Sequence, residues 1–152
     1  MITFNSTQKF SIALWTITVL FLCRVLGQLG VYFLEIDWLP PFSHWYSGLM
    51  AYQYLFPAQC LILLLMVKIN RDVLREKGFF SDLGIKTAMI IRWFSFLYAS
   101  SMLLRYALTM YSYPERRWLG EGTIPVTFHI LLALYLYLYS RYLNKAQNTS
   151  AL

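Results

Sequence analysis

Four long apolar stretches constrain the fold of this chain more than any other feature of its sequence. A helix needs about 20 mainly apolar residues to cross the roughly 30 Å hydrocarbon core of a bilayer. The four stretches cover about residues 10–34, 45–67, 87–111 and 124–143, and each meets that requirement. We therefore predict an all-α fold: an integral membrane bundle of four antiparallel transmembrane helices, forming a single domain over residues 1–152.

The composition supports a membrane protein rather than a soluble one. Hydrophobic residues make up 59% of the chain and charged residues 13%, whereas soluble proteins have about 45–50% and about 25%. A soluble domain of this size has too little interior to hide so much apolar surface, but lipid accepts it. The Pro40-Pro41 pair and the Gly120-Glu121-Gly122 turn separate the spans as ordinary helix punctuation.

The placement of lysine and arginine predicts the orientation of the bundle. One side carries eight basic residues: Lys9, Lys68, Arg71, Arg75, Lys77, Lys86, Arg141 and Lys145. The other side carries only Arg116 and Arg117, and the remaining three cations lie within spans. By the positive-inside rule, we expect both termini and the basic loop 68–86 in the cytoplasm, with the protein in the plasma (inner) membrane.

Aromatic residues agree with this layout, because tryptophan and tyrosine favour the membrane–water interface. Trp38, Trp45 and Trp118 mark the outer boundary. Several tyrosines crowd the inner end of the fourth span: Tyr135, Tyr137, Tyr139 and Tyr142.

The basic loop 68–86 is a candidate for contact with anionic lipid. Its lysines and arginines attract acidic headgroups by about 1 kcal/mol each. Its segment VLREKGFFSDLG allows a short amphipathic helix that touches the headgroup region through four apolar residues: Leu74, Phe79, Phe80 and Leu83. The alternative is a plain positive-inside loop.

Other partners and cofactors find no support in the sequence. The net charge of +6 comes without a nucleic-acid motif or a basic stripe with interleaved aromatics, so we expect no nucleic-acid partner. Cys23 and Cys60 lie deep in apolar segments without metal-ligand spacing, as two small buried hydrophobes do. His44 and His129 lie at different depths, which does not suit a haem. We predict no metal and no cofactor.

The first span carries a polar stripe in its outer half. Arg24, Gln28 and Tyr32 follow one another at intervals of four residues, which places them on one face of a helix. Gly27 and Gly30 flank that face, where small residues let a neighbouring helix or ligand approach. Arg24 lies too deep to reach the inner headgroups easily, so its charge needs a partner inside the bundle.

The other spans bring further polar side chains to the same depth. The second span adds Gln53 and Gln59, the third adds Ser101 and Arg105, and the fourth adds His129. The spans contain no carboxylate to accompany them, so two guanidiniums lack an internal counter-ion. A counter-ion has to come from outer-loop glutamates, a lipid phosphate or an anionic substrate. The outer-loop candidates are Glu35, Glu115 and Glu121.

These residues lead to one functional hypothesis and several alternatives. The leading one is a polar, cationic pocket in the outer half that binds an anionic amphiphile, a lipid headgroup or an acidic small molecule. The plainest alternative is that the glutamines join helices while arginines snorkel to headgroups. A second is an accessory or assembly subunit that meets a partner membrane subunit or a second copy of itself. A third is a small enzyme acting on a lipid or quinone, with His129 as its acid–base group.

Overall fold

A computed structural model describes residues 6–34, 36–45, 50–113 and 123–150. Within these ranges the chain forms five helices and no strand. The helices are α1 (Ser6–Leu34), α2 (Phe42–Trp45), α3 (Tyr52–Arg75), α4 (Ile85–Ser112) and α5 (Thr123–Ser150). The predicted all-α class is confirmed.

Four of the helices are long and apolar enough to cross a membrane, which supports an integral membrane protein. The spanning segments are Thr7–Leu34, Tyr52–Arg75, Ile85–Ser112 and Ile124–Gln147. The second one departs from the expected range, because its helix begins at Tyr52 and continues to Arg75. Backbone hydrogen bonding does not end where the apolar run ends, so helices extend past the hydrocarbon boundary. Trp45 belongs to the separate short helix α2.

Helix α5 is the centre of the bundle. It packs against α4 on one side and against α1 on the other, and α1 in turn packs against α3. The order across the bundle is thus α4–α5–α1–α3, and in the described residues α4 and α3 make no close backbone contact. The core lies between α1, α3 and α5 and contains Leu14, Phe21, Val25, Met66, Val73, Tyr139 and Leu143.

Much of the outer surface is apolar and therefore suited to acyl chains. Helix α4 buries only Ala88 and Ser95 and exposes large side chains such as Ile90 and Leu97. Cys23 also lies on the exposed surface of α1, so the expectation that both cysteines are buried is wrong for this one. In lipid, an exposed thiol on a helix costs little because it behaves as a small hydrophobe.

The short helix α2 and the turn between α3 and α4 lie at opposite ends of the bundle, and we call these ends the α2 end and the loop end. The α2 end corresponds to the predicted outer side and the loop end to the predicted inner side. At the loop end, residues 76–84 form turns. Of the four apolar residues expected at headgroups, Leu74 and Phe79 are exposed, while Phe80 and Leu83 pack against the core. Residues 76–84 thus form turns and not the short amphipathic helix, while contact of Leu74 and Phe79 with headgroups stays a prediction.

The carboxylate of Asp72 holds this turn in place. It accepts a hydrogen bond from the Phe80 backbone N–H at 3.2 Å and pairs with the Lys68 ammonium at 2.6 Å. Gly78 has a φ of +109°, and a Cβ there would lie 2.6 Å from the Asp72 carboxyl carbon. Only glycine combines this conformation with so close an approach.

A second polar group at the loop end lies inside the core. The fully buried Asn70 donates from Nδ2 to the Thr18 hydroxyl at 2.8 Å, and its Oδ1 accepts from the Tyr135 hydroxyl at 2.9 Å. The Thr18 hydroxyl donates to the Leu14 carbonyl oxygen at 2.9 Å. We call Thr18, Asn70 and Tyr135 the loop-end network. It joins α1, α3 and α5, and both ends of its central amide are paired.

Candidate functional site

Two buried polar residues of α1 meet the end of α2. Arg24 is 7% exposed and Gln28 is fully buried, one helical turn apart. The Arg24 Nη2 donates to the carbonyl oxygen of Trp45 at 3.4 Å, and the Gln28 Nε2 donates to the same oxygen at 3.3 Å. Trp45 is the last residue of α2, where a carbonyl has no partner within its own helix. This free carbonyl with two lone pairs accepts both donors.

Gly27 sets the position of Trp45. A Cβ at Gly27 would lie 2.7 Å from the Cη2 atom of the Trp45 indole, so the ring rests directly on the helix backbone. The indole Nε1 also donates to the Pro40 carbonyl oxygen at 2.9 Å. Because these two contacts hold the ring, the absence of a side chain at Gly27 brings the Trp45 carbonyl to Arg24 and Gln28.

Gln59 joins α3 to this group. Its Nε2 donates to the Gln28 Oε1 at 3.0 Å, and it is 3% exposed. The guanidinium carbon of Arg24 lies 5.6 Å from the centre of the Phe128 ring of α5. The α2-end network thus consists of Arg24, Gln28, Trp45 and Gln59.

The α2-end network leaves polar atoms unsatisfied. Within the part of the chain that the structure describes, the Arg24 Nε and the Gln59 Oε1 are buried without a hydrogen-bond partner. The buried Tyr52 hydroxyl shares this condition, and it lies close enough to Arg24 for the two groups to interact electrostatically. Buried polar atoms of native proteins usually have at least one hydrogen-bond partner.

An aromatic cluster covers the network at the α2 end. The rings of Tyr32 and Tyr52 lie 4.4 Å apart, and the Phe42 ring lies 5.2 Å from Tyr32 and 5.5 Å from Tyr52. Tyr32, which was predicted to share the polar face of α1, is 47% exposed and belongs to this cluster. Its ring contacts are with Phe42 and Tyr52.

Helices α4 and α5 contribute a separate hydrogen bond nearby. The Tyr98 hydroxyl and the His129 Nδ1 lie 2.5 Å apart. His129 is close enough to Arg24 and to Arg105 for both charges to act on it. Arg105 is half-buried on α4.

Two predicted site residues lie apart from this group. Gln53 is exposed on α3. Ser101 is also exposed, and its hydroxyl donates a hydrogen bond to the Tyr98 carbonyl oxygen at 2.8 Å. A serine that bonds the backbone of its own helix has no need of a ligand.

Sequence reasoning did not identify Trp45, Tyr52, Tyr98 or Phe128 as site residues. A signal existed for Tyr98, because it precedes Ser101 and Arg105 by three and seven residues on one helix face. The type of a residue does not predict that its backbone carbonyl takes part in a site, as the carbonyl of Trp45 does. Its role depends on where α2 ends.

The structure describes only some of the carboxylates that were considered as counter-ions for Arg24. Among the described residues, the one salt bridge joins Lys68 and Asp72 at the loop end, and Arg24 has no carboxylate partner. The three candidate counter-ions, Glu35, Glu115 and Glu121, lie outside the described residues.

Cavities occur on either side of the network. One of about 360 Å³ lies in the seam between α1 and α3 and is lined by Trp15, Leu22, Cys60 and Leu64, among others. Another of about 510 Å³ lies at the α2 end beside Tyr32, Asp37 and Phe42. Neither of these two cavities is lined by Arg24.

Comparison with models of known protein families, with curated proteins and with solved structures gives no match to this chain.

Proposed function

We propose that this membrane protein binds an anionic amphiphile, with Arg24 as the group that recognises its charge. The observation that carries the proposal is the buried guanidinium, whose hydrogen bond to Trp45 is long at 3.4 Å and whose Nε has no partner among the described residues. Ordinary N–H···O bonds measure 2.7–3.2 Å. A central arginine in a span costs about 2.5–3.5 kcal/mol on insertion scales, and a bound anion offsets that cost.

The setting favours a lipid-like ligand over a soluble one. The four spanning helices keep the site within the membrane, and ligands there arrive laterally from lipid. The apolar seam between α1 and α3 lies on the same two helices that carry Gln28 and Gln59. A groove of that kind suits an acyl chain.

The neighbouring side chains have supporting roles in this proposal. Gln28 and Gln59 hold α1, α2 and α3 in register, and they fix the direction in which their amides point. His129 and Arg105 add polar groups from α5 and α4, which strengthen anion binding in a low-dielectric surrounding. Tyr52 offers a hydroxyl beside Arg24.

Native mass spectrometry of the protein released from a mild detergent tests the proposal. The wild type is expected to carry a defined lipid or acidic adduct that Arg24→Leu loses. Arg141→Leu is the matched control, since it removes an exposed guanidinium at the loop end of α5 that already has a partner, the Tyr137 hydroxyl. If Arg24→Leu retains the adduct at the wild-type level, the proposal is wrong.

The same spectra separate the alternatives. A bare wild-type chain indicates that the glutamines only join helices. A chain that arrives with a second polypeptide, or with a second copy of itself, indicates an accessory subunit. An adduct that is converted to a product in wild type but not in His129→Gln indicates a small enzyme, for which the Tyr98–His129 hydrogen bond supplies an acid–base pair.

A further inference from the structure

The hydrogen bonds of the α2-end network run in one direction. A backbone carbonyl only accepts, so the Trp45 oxygen requires an N–H from Gln28. Because the Gln28 nitrogen donates to the Trp45 carbonyl, its Oε1 faces α3, where it accepts a hydrogen bond from the Gln59 Nε2. Rotating either amide by 180° would bring two oxygens together, so the assignment of nitrogen and oxygen is fixed along the chain.

The chain of amides ends on a buried acceptor. Gln59 uses its nitrogen toward Gln28 and is left with Oε1, which is buried and has no partner among the described residues. The Trp45 carbonyl thus determines, through two side chains, that the site presents an oxygen at Gln59. In the same network, the Arg24 Nε is a buried N–H without a partner among the described residues. Beside the Tyr52 hydroxyl, which can donate or accept, the site therefore offers one strong donor and one acceptor.

A ligand that satisfies both needs two kinds of atom. Its anionic oxygens accept from Arg24, and a hydroxyl donates to the Gln59 Oε1. Arg24 is the one charged residue of the α2-end network, and it has no carboxylate partner in the described part of the chain, so a single negative charge matches this network.

We infer that the ligand of this site is a monoanionic phosphodiester lipid whose headgroup carries a hydroxyl, the chemistry of phosphatidylglycerol. The inference rests on the proposed function and adds to it a ligand hydroxyl that donates to the Gln59 Oε1. Phosphatidylmethanol has the same phosphodiester and charge but no hydroxyl. Phosphatidylethanolamine has a donor, its ammonium group, but no net charge.

Competition between lipids on the wild-type protein tests the inference without any substitution. The protein is loaded with equal amounts of phosphatidylglycerol and phosphatidylmethanol of matched acyl chains, and bound lipid is measured by native mass spectrometry. We expect about five- to tenfold more phosphatidylglycerol, the ratio for one buried hydrogen bond. Equal retention of the two lipids overturns the inference while leaving the proposed function standing.

One further lipid and one water-soluble headgroup distinguish the remaining ligands of similar chemistry. If phosphatidylethanolamine is retained to the same extent as phosphatidylglycerol, the site does not select for negative charge, and this result also contradicts the inference. The water-soluble headgroup glycerophosphoglycerol is expected to compete poorly, because it lacks acyl chains. If it displaces the lipid at equal concentration, the ligand is a free phosphodiester and the lipid assignment is wrong.

Substitutions then connect the preference to Gln59. Gln59→Met removes the acceptor at similar length and is expected to bring the two anionic lipids to equal retention while still binding both. Gln53→Met is the matched control, an exposed glutamine on the same helix, and should keep the wild-type preference. Arg24→Leu should lose both lipids. Binding of neither lipid to wild type contradicts the proposed function itself.

Discussion

Both polar networks of the bundle join α1 to α3 through side-chain amides, but they differ in how completely their hydrogen bonds are made. In the loop-end network both ends of the Asn70 amide are paired, with Thr18 and with Tyr135. In the α2-end network the donor Arg24 Nε and the acceptor Gln59 Oε1 remain without partners in the described residues. A complete network stabilises the fold, whereas an incomplete one leaves buried groups that a bound molecule could satisfy.

The first prediction tests the complete network and has the largest expected effect on stability. Tyr135→Phe leaves the Asn70 Oδ1 buried without its donor, so we expect the free energy of unfolding to fall by about 1–3 kcal/mol. Denaturation in detergent, followed by circular dichroism, measures the change. Lipid retention should not alter.

The matched control for that prediction is Tyr137→Phe, two residues further along the same helix. The Tyr137 hydroxyl accepts from an exposed Arg141 at 3.1 Å, a bond that solvent or headgroups can replace. We expect little change in stability. If both variants lose the same amount, the loop-end network has no special role and the comparison fails.

The second prediction concerns the position of α2, whose Trp45 carbonyl accepts from the α2-end network. Gly27→Ala places a Cβ against the rigid Trp45 indole, which shifts α2 and weakens the bonds to Arg24 and Gln28. We expect a loss of about 1 kcal/mol in stability and severalfold weaker lipid retention. Gly30→Ala is the control, since its Cβ meets only the flexible end of Ile36 at 3.0 Å. Equal lipid retention in the two variants would show that the position of α2 is unimportant.

The third prediction has the smallest expected effect on stability and separates the networks most clearly. In lipid-free detergent, Arg24→Leu removes a buried charge with one long hydrogen bond, so we expect unchanged or slightly higher stability. Added anionic lipid should raise the melting temperature of wild type and leave that of the variant unchanged. A variant that melts as early as Tyr135→Phe would indicate that Arg24 is structural.

The sequence predicted the architecture because hydropathy acts over whole helices. Four apolar runs specify four helices, and matching depths along α1 and α3 anticipated that Gln28, Gln59 and Arg24 lie in one layer. The orientation of the bundle in the membrane remains a prediction from the placement of lysine and arginine.

The loop-end network escaped prediction because the apolar run of the second span ends at residue 67. Asn70 and Asp72 were therefore assigned to a polar loop, although α3 continues through both. Its position near the end of an apolar run predicts Tyr135 as an interfacial aromatic, but its hydroxyl donates to the buried Asn70. Hydropathy reports where lipid begins, and it does not report how far a helix continues or which face of it is turned inward.

The central place of α5 has a consequence for biosynthesis. Of the four spanning helices, α5 is synthesised after the other three, and it packs against both α1 and α4 and brings Phe128 to Arg24. Before α5 is inserted, α1 and α3 can associate by themselves, but the guanidinium has no α5 against it. Folding of the site therefore requires α5, so chains truncated before α5 should expose Arg24 to lipid and be recognised as unassembled.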